Sequence, residues 1–153
     1  MSTRAIKVLT KHRIPFEVVT YEHLEKGASF AAQAIGFDLS KTVKTLVVEI
    51  PGKKPVLALL PGNRQLVLKK LAKVLGVKKV KMADITTAER ITGYKVGGVS
   101  PFGIDPKLNV VMEAAILDHA QVAINAGQRG MMLIMASEDI EAVTYAKVAS
   151  ISI

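Results

Sequence analysis

The chain has 153 residues, enough for one hydrophobic core and too few for two full domains. Half of the residues are hydrophobic and 22% are charged, which excludes a disordered chain; with aromatics at 5% and no Trp, the core must come from Val, Ile, Leu, Ala and Met. Lys and Arg outnumber Asp and Glu by 21 to 13, a net charge of +8 that favours anionic partners such as nucleic acid, and the absence of Cys excludes disulfides, thiolate metal sites and cysteine nucleophiles.

Ser2 and Thr3 can cap a first helix with Ile6, Val8 and Leu9 on its apolar side, broken at Ile14-Pro15. Arg4, Lys7 and Lys11 interrupt its apolar residues, so it does not read as a secretory signal. Phe16 to Tyr21 alternates as a strand, and Ser29 opens a short Ala-rich helix that stops near Gly36. Thr42 to Ile50 reads as a strand covered on both faces; after the turn Pro51-Gly52-Lys53-Lys54, Val56 to Leu60 completes a hairpin. Gln65 to Leu75 has helical spacing and is closed by Gly76. A short strand over Lys78 to Met82 and an Asp84-capped helix over Ile85 to Ile91 precede a long Gly/Pro-rich loop, Thr92 to Pro106. Asn109 to Met112, Gln121 to Asn125 and Met131 to Ala136 read as strands. Ser137 starts the last helix, and Lys147 to Ile153 is a strand or a frayed end. Without linker or repeat, this order predicts one α+β domain over residues 1–153. The longest apolar runs, such as Val56 to Pro61, are too short to span a bilayer, so the expected setting is soluble and cytoplasmic, with no membrane partner.

Several chemistries have no residues to carry them. His12, His23 and His119 lack metal-site spacing, and GxSxG, GxGxxG and GxxxxGK[ST] are all absent. What remains is the loop TGYKVGGVSPFG, where Gly97 and Gly98 either serve only the path of a structural loop or permit close backbone approach, with free N–H groups that could face an anion. NAGQRGMM reads as a hairpin turn with Gly127 and Gly130 around Gln128-Arg129. Lys44 is the odd charge in the apolar strand TVKTLVVEI, where it either snorkels or does chemistry. Lys69, Lys70, Lys73, Lys78 and Lys79 form a solvated basic face that could contact phosphates.

Taken in order, TYEH, VKTLVV, LKKLAKVLGVKKVKMAD, TGYKVGGVSPFG and AGQRG resemble the YbaK family, free-standing relatives of the editing domain of bacterial prolyl-tRNA synthetases, over roughly Ala5 to Ala146. The resemblance implies a mixed, mostly antiparallel, barrel-like sheet with surrounding helices. It implies a metal-independent, cofactor-free hydrolase that deacylates mischarged aminoacyl-tRNA. Cys-tRNA(Pro) or another small amino-acid ester would be the substrate, with prolyl-tRNA synthetase as a possible partner. The other reading is a non-catalytic tRNA- or nucleotide-binding module of the same fold. The family's functional lysine matches Lys44 and its GxxxP loop matches Gly97 to Pro101. The implied catalytic set is Lys44, Gly97 and Gly98. The implied substrate-binding set takes Tyr21 and Thr45, then Val99, Ser100 and Pro101 from the loop. It is completed by Asn125, Gly127, Arg129, Gly130 and Met132 around the turn. Two positions depart from the pattern: Asn125 stands where a Ser often precedes the turn, and Met132 where an acidic residue often follows it. A water, or the thiol of a cysteine ester, would attack the carbonyl.

Overall fold

The computed structural model describes residues 2–153. Thr3 caps helix α1 (Arg4–Lys11), its hydroxyl accepting from the Ile6 N–H at 3.1 Å. Strand β1 (Glu17–Thr20) and helix α2 (Ala28–Ile35) follow. The hairpin forms as expected, from β2 (Thr42–Glu49) and β3 (Val56–Pro61). Helix α3 (Leu68–Leu75), strand β4 (Lys81–Met82) and the Asp84-capped helix α4 (Ile85–Thr92) lead into the glycine loop. After it come β5 (Asn109–Glu113), β6 (Gln121–Gln128), β7 (Met131–Ala136), α5 (Ser137–Thr144) and β8 (Lys147–Ala149). The resulting single mixed domain has one sheet in the order β1-β7-β6-β2-β3-β5-β8, with β4 also on β2.

The sheet is mixed, with four antiparallel and three parallel pairings. It is open, however, rather than barrel-like: β1 and β8 lie at opposite ends of the order and do not pair. Alternation divides its side chains between two layers. Leu57 and Leu59, Val110 and Met112, and Leu133 and Met135 pack into one core with Leu9, Phe102 and Ile140 from the α1, loop and α5 side. Val56, Ala58 and Leu60 point the other way and pack against Leu71 and Ala72 of α3, while Met132 meets Ala31 of α2. Helices thus cover both faces, and β3 is buried along its whole length.

Residues 65–67 do not begin α3 as their spacing suggested. Gln65 and Ile153 exchange backbone hydrogen bonds, and the Val67 N–H donates to Ile151, so this segment is extended and pairs with the C-terminal residues. Glu113 anchors the same tail. Its buried carboxylate accepts from the N–H groups of Ile151 and Ser152 and from the Ser152 hydroxyl, whose oxygen in turn accepts from Arg64. The tail is neither frayed nor a simple extension of β8. The short helix after Gly27 starts at Ala28, one residue before the expected Ser29.

Candidate functional site

The site is made by a gap in the sheet. One edge of β2 is paired with β3 from Val43 to Val48. On the other edge, β6 covers only Thr42 and Val43, and β4 covers only Val48 and Glu49. The Gly62 N–H donates to the Thr42 carbonyl, which fixes the antiparallel alternation. The backbone groups of Lys44 and Leu46 therefore face β3, and those of Thr45 and Val47 face the other edge. Val47's carbonyl is taken there by the Ala83 N–H. Thr45's N–H and C=O are left facing the gap, where a cavity of about 400 Å³ opens.

Five consecutive residues of β2, Val43 to Val47, line that cavity, so both Lys44 and Thr45 reach it. The Lys44 ammonium lies 3.4 Å from the Gly62 carbonyl, and among the described residues it has no carboxylate partner. Burial holds its pKa below the ordinary lysine value. The Thr45 hydroxyl is buried without a hydrogen-bond partner, a cost normally offset by a ligand or water. Tyr21, at the end of β1, lines the cavity and is held by its backbone N–H on the Gly130 carbonyl at 2.9 Å. Burial raises the pKa of its phenol, so at neutral pH it presents a neutral hydroxyl. Among the described residues, Lys26 and Lys44 are the only charged ones in a lining that is otherwise mostly apolar.

The opposite wall is the glycine loop. Gly97 sits at φ +92°, a conformation side chains rarely adopt, and lines the cavity with Val96 and Val99. Gly98 lies behind it: a Cβ there would come within 2.9 Å of the Arg129 backbone nitrogen, so the loop packs directly on the β6–β7 turn. A bulge in β6 between Asn125 and Gln128 leads into that turn. The Asn125 carboxamide oxygen accepts from the Gly127 and Gln128 N–H groups, and its amide donates to the Gly97 carbonyl at 3.0 Å.

Seven of the residues singled out in the sequence meet at this cavity: Tyr21, Lys44, Thr45, Gly97, Val99, Asn125 and Met132. The others do not line it. The Gly98 N–H, expected to face a substrate, donates instead to the Lys95 carbonyl at 2.8 Å. Ser100 is fully buried, its hydroxyl accepting from the Phe102 N–H. Pro101 borders a separate cavity on the far side of the loop. Gly127 in the bulge and Arg129 and Gly130 in the turn do not line the cavity, and Arg129 donates through Nε to the Val96 carbonyl at 2.7 Å. Lys69, Lys70, Lys73, Lys78 and Lys79 are exposed on α3 and the segment before β4, outside the cavity.

Lys26, Met82 and Ile85 also line the cavity and were missed in the sequence. Met82 and Ile85 are 43% and 59% exposed, and two such apolar residues directly after a run of lysines were the available signal.

The sequence model of the aminoacyl-tRNA editing domain matches residues 24–143. The chain is 33% identical, over 98% of its length and 93% of the other, to an Enterococcus faecalis protein provisionally named Cys-tRNA(Pro)/Cys-tRNA(Cys) deacylase EbsC. It is 29% identical to the proline–tRNA ligase of Geobacter sulfurreducens, a match that takes in 76% of this chain and 20% of the ligase. A crystal structure provisionally described as a trans-editing enzyme for prolyl tRNA synthetase superposes with a TM-score of 0.86 at 26% identity, covering 100% of this chain and 99% of the other.

Proposed function

The chain belongs to the aminoacyl-tRNA editing domain family, and on that premise we propose that it is a trans-editing hydrolase that deacylates mischarged tRNA, with Cys-tRNA(Pro) or tRNA carrying another small amino acid as substrate. One observation carries the reading: a partly dehydrated lysine with no carboxylate partner among the described residues and a glycine loop line the same small, mostly apolar cavity. An aminoacyl ester is activated, so positioning and charge stabilisation suffice without a protein nucleophile.

The amino-acid side chain enters against Met132 and Val99. The ester carbonyl lies toward the Gly97 N–H, which has no hydrogen-bond partner among the described residues. Water attacks the carbonyl carbon, the tetrahedral oxyanion accepts from that N–H, and the C–O bond to the ribose breaks as the ribose oxygen takes up the proton that the attacking water loses. Lys44 stabilises the developing negative charge, which its poor hydration makes more effective than an exposed lysine. The neutral Tyr21 hydroxyl and the unpartnered Thr45 hydroxyl can each hydrogen-bond the aminoacyl group. The exposed lysines around α3 hold the acceptor stem through its phosphates, and the prolyl link makes prolyl-tRNA synthetase the candidate source of substrate.

The experiment is a deacylation panel of tRNA(Pro) charged with Pro, Ala or Cys, widened to Ser and Thr esters. Hydrolysis of at least one small ester well above the buffer rate is expected. Tight tRNA binding with no hydrolysis of any of them would instead mark a binding module.

A further inference from the structure

The Val96–Gly97 segment carries four backbone polar groups, and three different elements hold three of them. Glu89 of α4 accepts from the Val96 N–H at 2.8 Å. Arg129 of the β6–β7 turn donates through Nε to the Val96 carbonyl at 2.7 Å. Asn125 of the bulge donates to the Gly97 carbonyl at 3.0 Å. Only the Gly97 N–H has no partner among the described residues.

We propose that Glu89, Asn125 and Arg129 are positioning residues that clamp this peptide so that the Gly97 N–H is aimed into the cavity, with Arg129 acting as an N–H donor to the loop rather than as a charge on the substrate. The inference rests on the deacylase reading above for its catalytic consequence.

The geometry follows from the planarity of the peptide group. The N–H of Gly97 and the C=O of Val96 belong to one trans unit and point in opposite directions. Arg129 stands outside the cavity and draws the carbonyl toward itself, so the N–H is turned the other way. Glycine tolerates both signs of φ, so an unheld peptide before Gly97 could rotate. The Val96 carbonyl would then face the cavity and repel the oxyanion that the N–H stabilises. Rotation of this unit breaks the Arg129 hydrogen bond, while Glu89 and Asn125 hold the peptide units on either side and so keep the Val96 carbonyl within reach of Arg129. Asn125 is suited to bridging turn and loop, because its oxygen is occupied by the Gly127 and Gln128 N–H groups and its amide is left facing the loop. A serine at this position has one hydroxyl and could not make both connections in the same way.

Glutamine places an N–H donor the same number of bonds from the backbone as arginine Nε, without the charge. Methionine keeps the length and removes the donor. The experiment compares Arg129→Gln with Arg129→Met, and Glu89→Gln with Glu89→Met, in single-turnover hydrolysis of the best ester on the panel. Each methionine variant is expected to lower the rate constant by about tenfold to a hundredfold with tRNA affinity within about twofold of wild type, and each glutamine variant to recover most of the loss. In parallel, the ¹⁵N–¹H resonance of Gly97 should move or broaden in Arg129→Met and return in Arg129→Gln, a readout that needs no activity. Loss in Arg129→Gln equal to that in Arg129→Met, with weakened tRNA affinity, would make Arg129 a substrate-binding charge and overturn the clamp. An unchanged Gly97 resonance in a folded Arg129→Met protein would overturn it too. Should wild type hydrolyse no ester while the resonance behaves as expected, the deacylase reading falls and the clamp stands.

Discussion

Lys44 and Thr45 are neighbours on one strand, yet both reach the same cavity. Adjacent strand residues point to opposite faces of a sheet, so this requires an opening at the edge of β2. The opening exists because β6 leaves that edge after Val43 and β4 joins it only at Val48. The gap leaves the Thr45 backbone N–H and C=O unpaired by a neighbouring strand and brings Lys44 and Thr45 to one cavity, with the glycine loop on its wall.

Lys44 should titrate below the ordinary lysine value of about 10.4, because burial penalises its charged form. The sign for stability follows. Between the lowered folded pKa and the ordinary value the unfolded chain binds more protons, so this residue's contribution favours folding as pH rises through that window. NMR titration of lysines labelled at Cε checks it, with Lys44→Ala identifying the resonance. A Lys44 midpoint at the ordinary value would contradict a dehydrated site.

Glu113 has the same slope with pH but adds stability where the buried Lys44 charge costs it. Burial alone would raise its pKa, but hydrogen bonds from the Ser152 hydroxyl and the Ile151 and Ala115 N–H groups outweigh this and hold it below the ordinary carboxylate value. Its stabilisation is present above the unfolded pKa of about 4.3 and is lost as pH falls through the folded one. Glu113→Gln should flatten this acid limb and cost about 1.5–3 kcal/mol at neutral pH, the worth of hydrogen bonds to a charged group. Urea unfolding at several pH values measures both. Hydrogen exchange should show the loss first at Ile151 and Ser152.

Lys78 and Lys79 are exposed and stand just before the cavity-lining Met82. Replacing both with Gln should weaken tRNA binding and make the slope of log affinity against log salt shallower by about one for each lysine. The single-turnover rate at saturating enzyme should not change. A reduced rate at saturation would place them in the chemistry instead.

Met132 is 3% exposed and lines the cavity, where the proposed function puts the amino-acid side chain. Met132→Ala should raise deacylation of larger aliphatic esters relative to Cys by tenfold or more, consistent with about 1–3 kcal/mol for each methylene of fit. Lysyl esters should be refused by wild type and variant alike, since Lys26 and Lys44 already face the cavity. Competition between esters on one tRNA gives the ratio, and an unchanged ratio would remove Met132 from the specificity wall.

Much of this was legible in the sequence where the signal was local. The consecutive apolar residues of TVKTLVVEI marked a doubly covered strand, and the motifs around Tyr21, Lys44, Gly97 and Asn125 marked residues that do converge. What was not legible depends on distant partners. Residues 65–67 have helical spacing and become extended because the chain's last residues pair with them. Gly98 and Arg129 sit in the right motifs, but their hydrogen bonds turn to Lys95 and Val96, and nothing in the motif specifies that direction. Glu89 reads as one more charge on an amphipathic helix, and only the loop folding back on it gives it a partner.

The most direct test of the mechanism is single-turnover hydrolysis of a small mischarged ester, Cys-tRNA(Pro) first, by wild type and Lys44→Ala, with circular dichroism of both. The folded variant should lose roughly 10²–10³ in rate, the scale of one preorganised charge or donor, and Lys44→Arg should not restore it, because the planar guanidinium is bulkier and differently shaped. Folding should survive, since the substitution removes a partly dehydrated charge that lacks a carboxylate partner among the described residues. A folded Lys44→Ala protein that hydrolyses the ester at the wild-type rate would make Lys44 a snorkelling surface residue and contradict the mechanism.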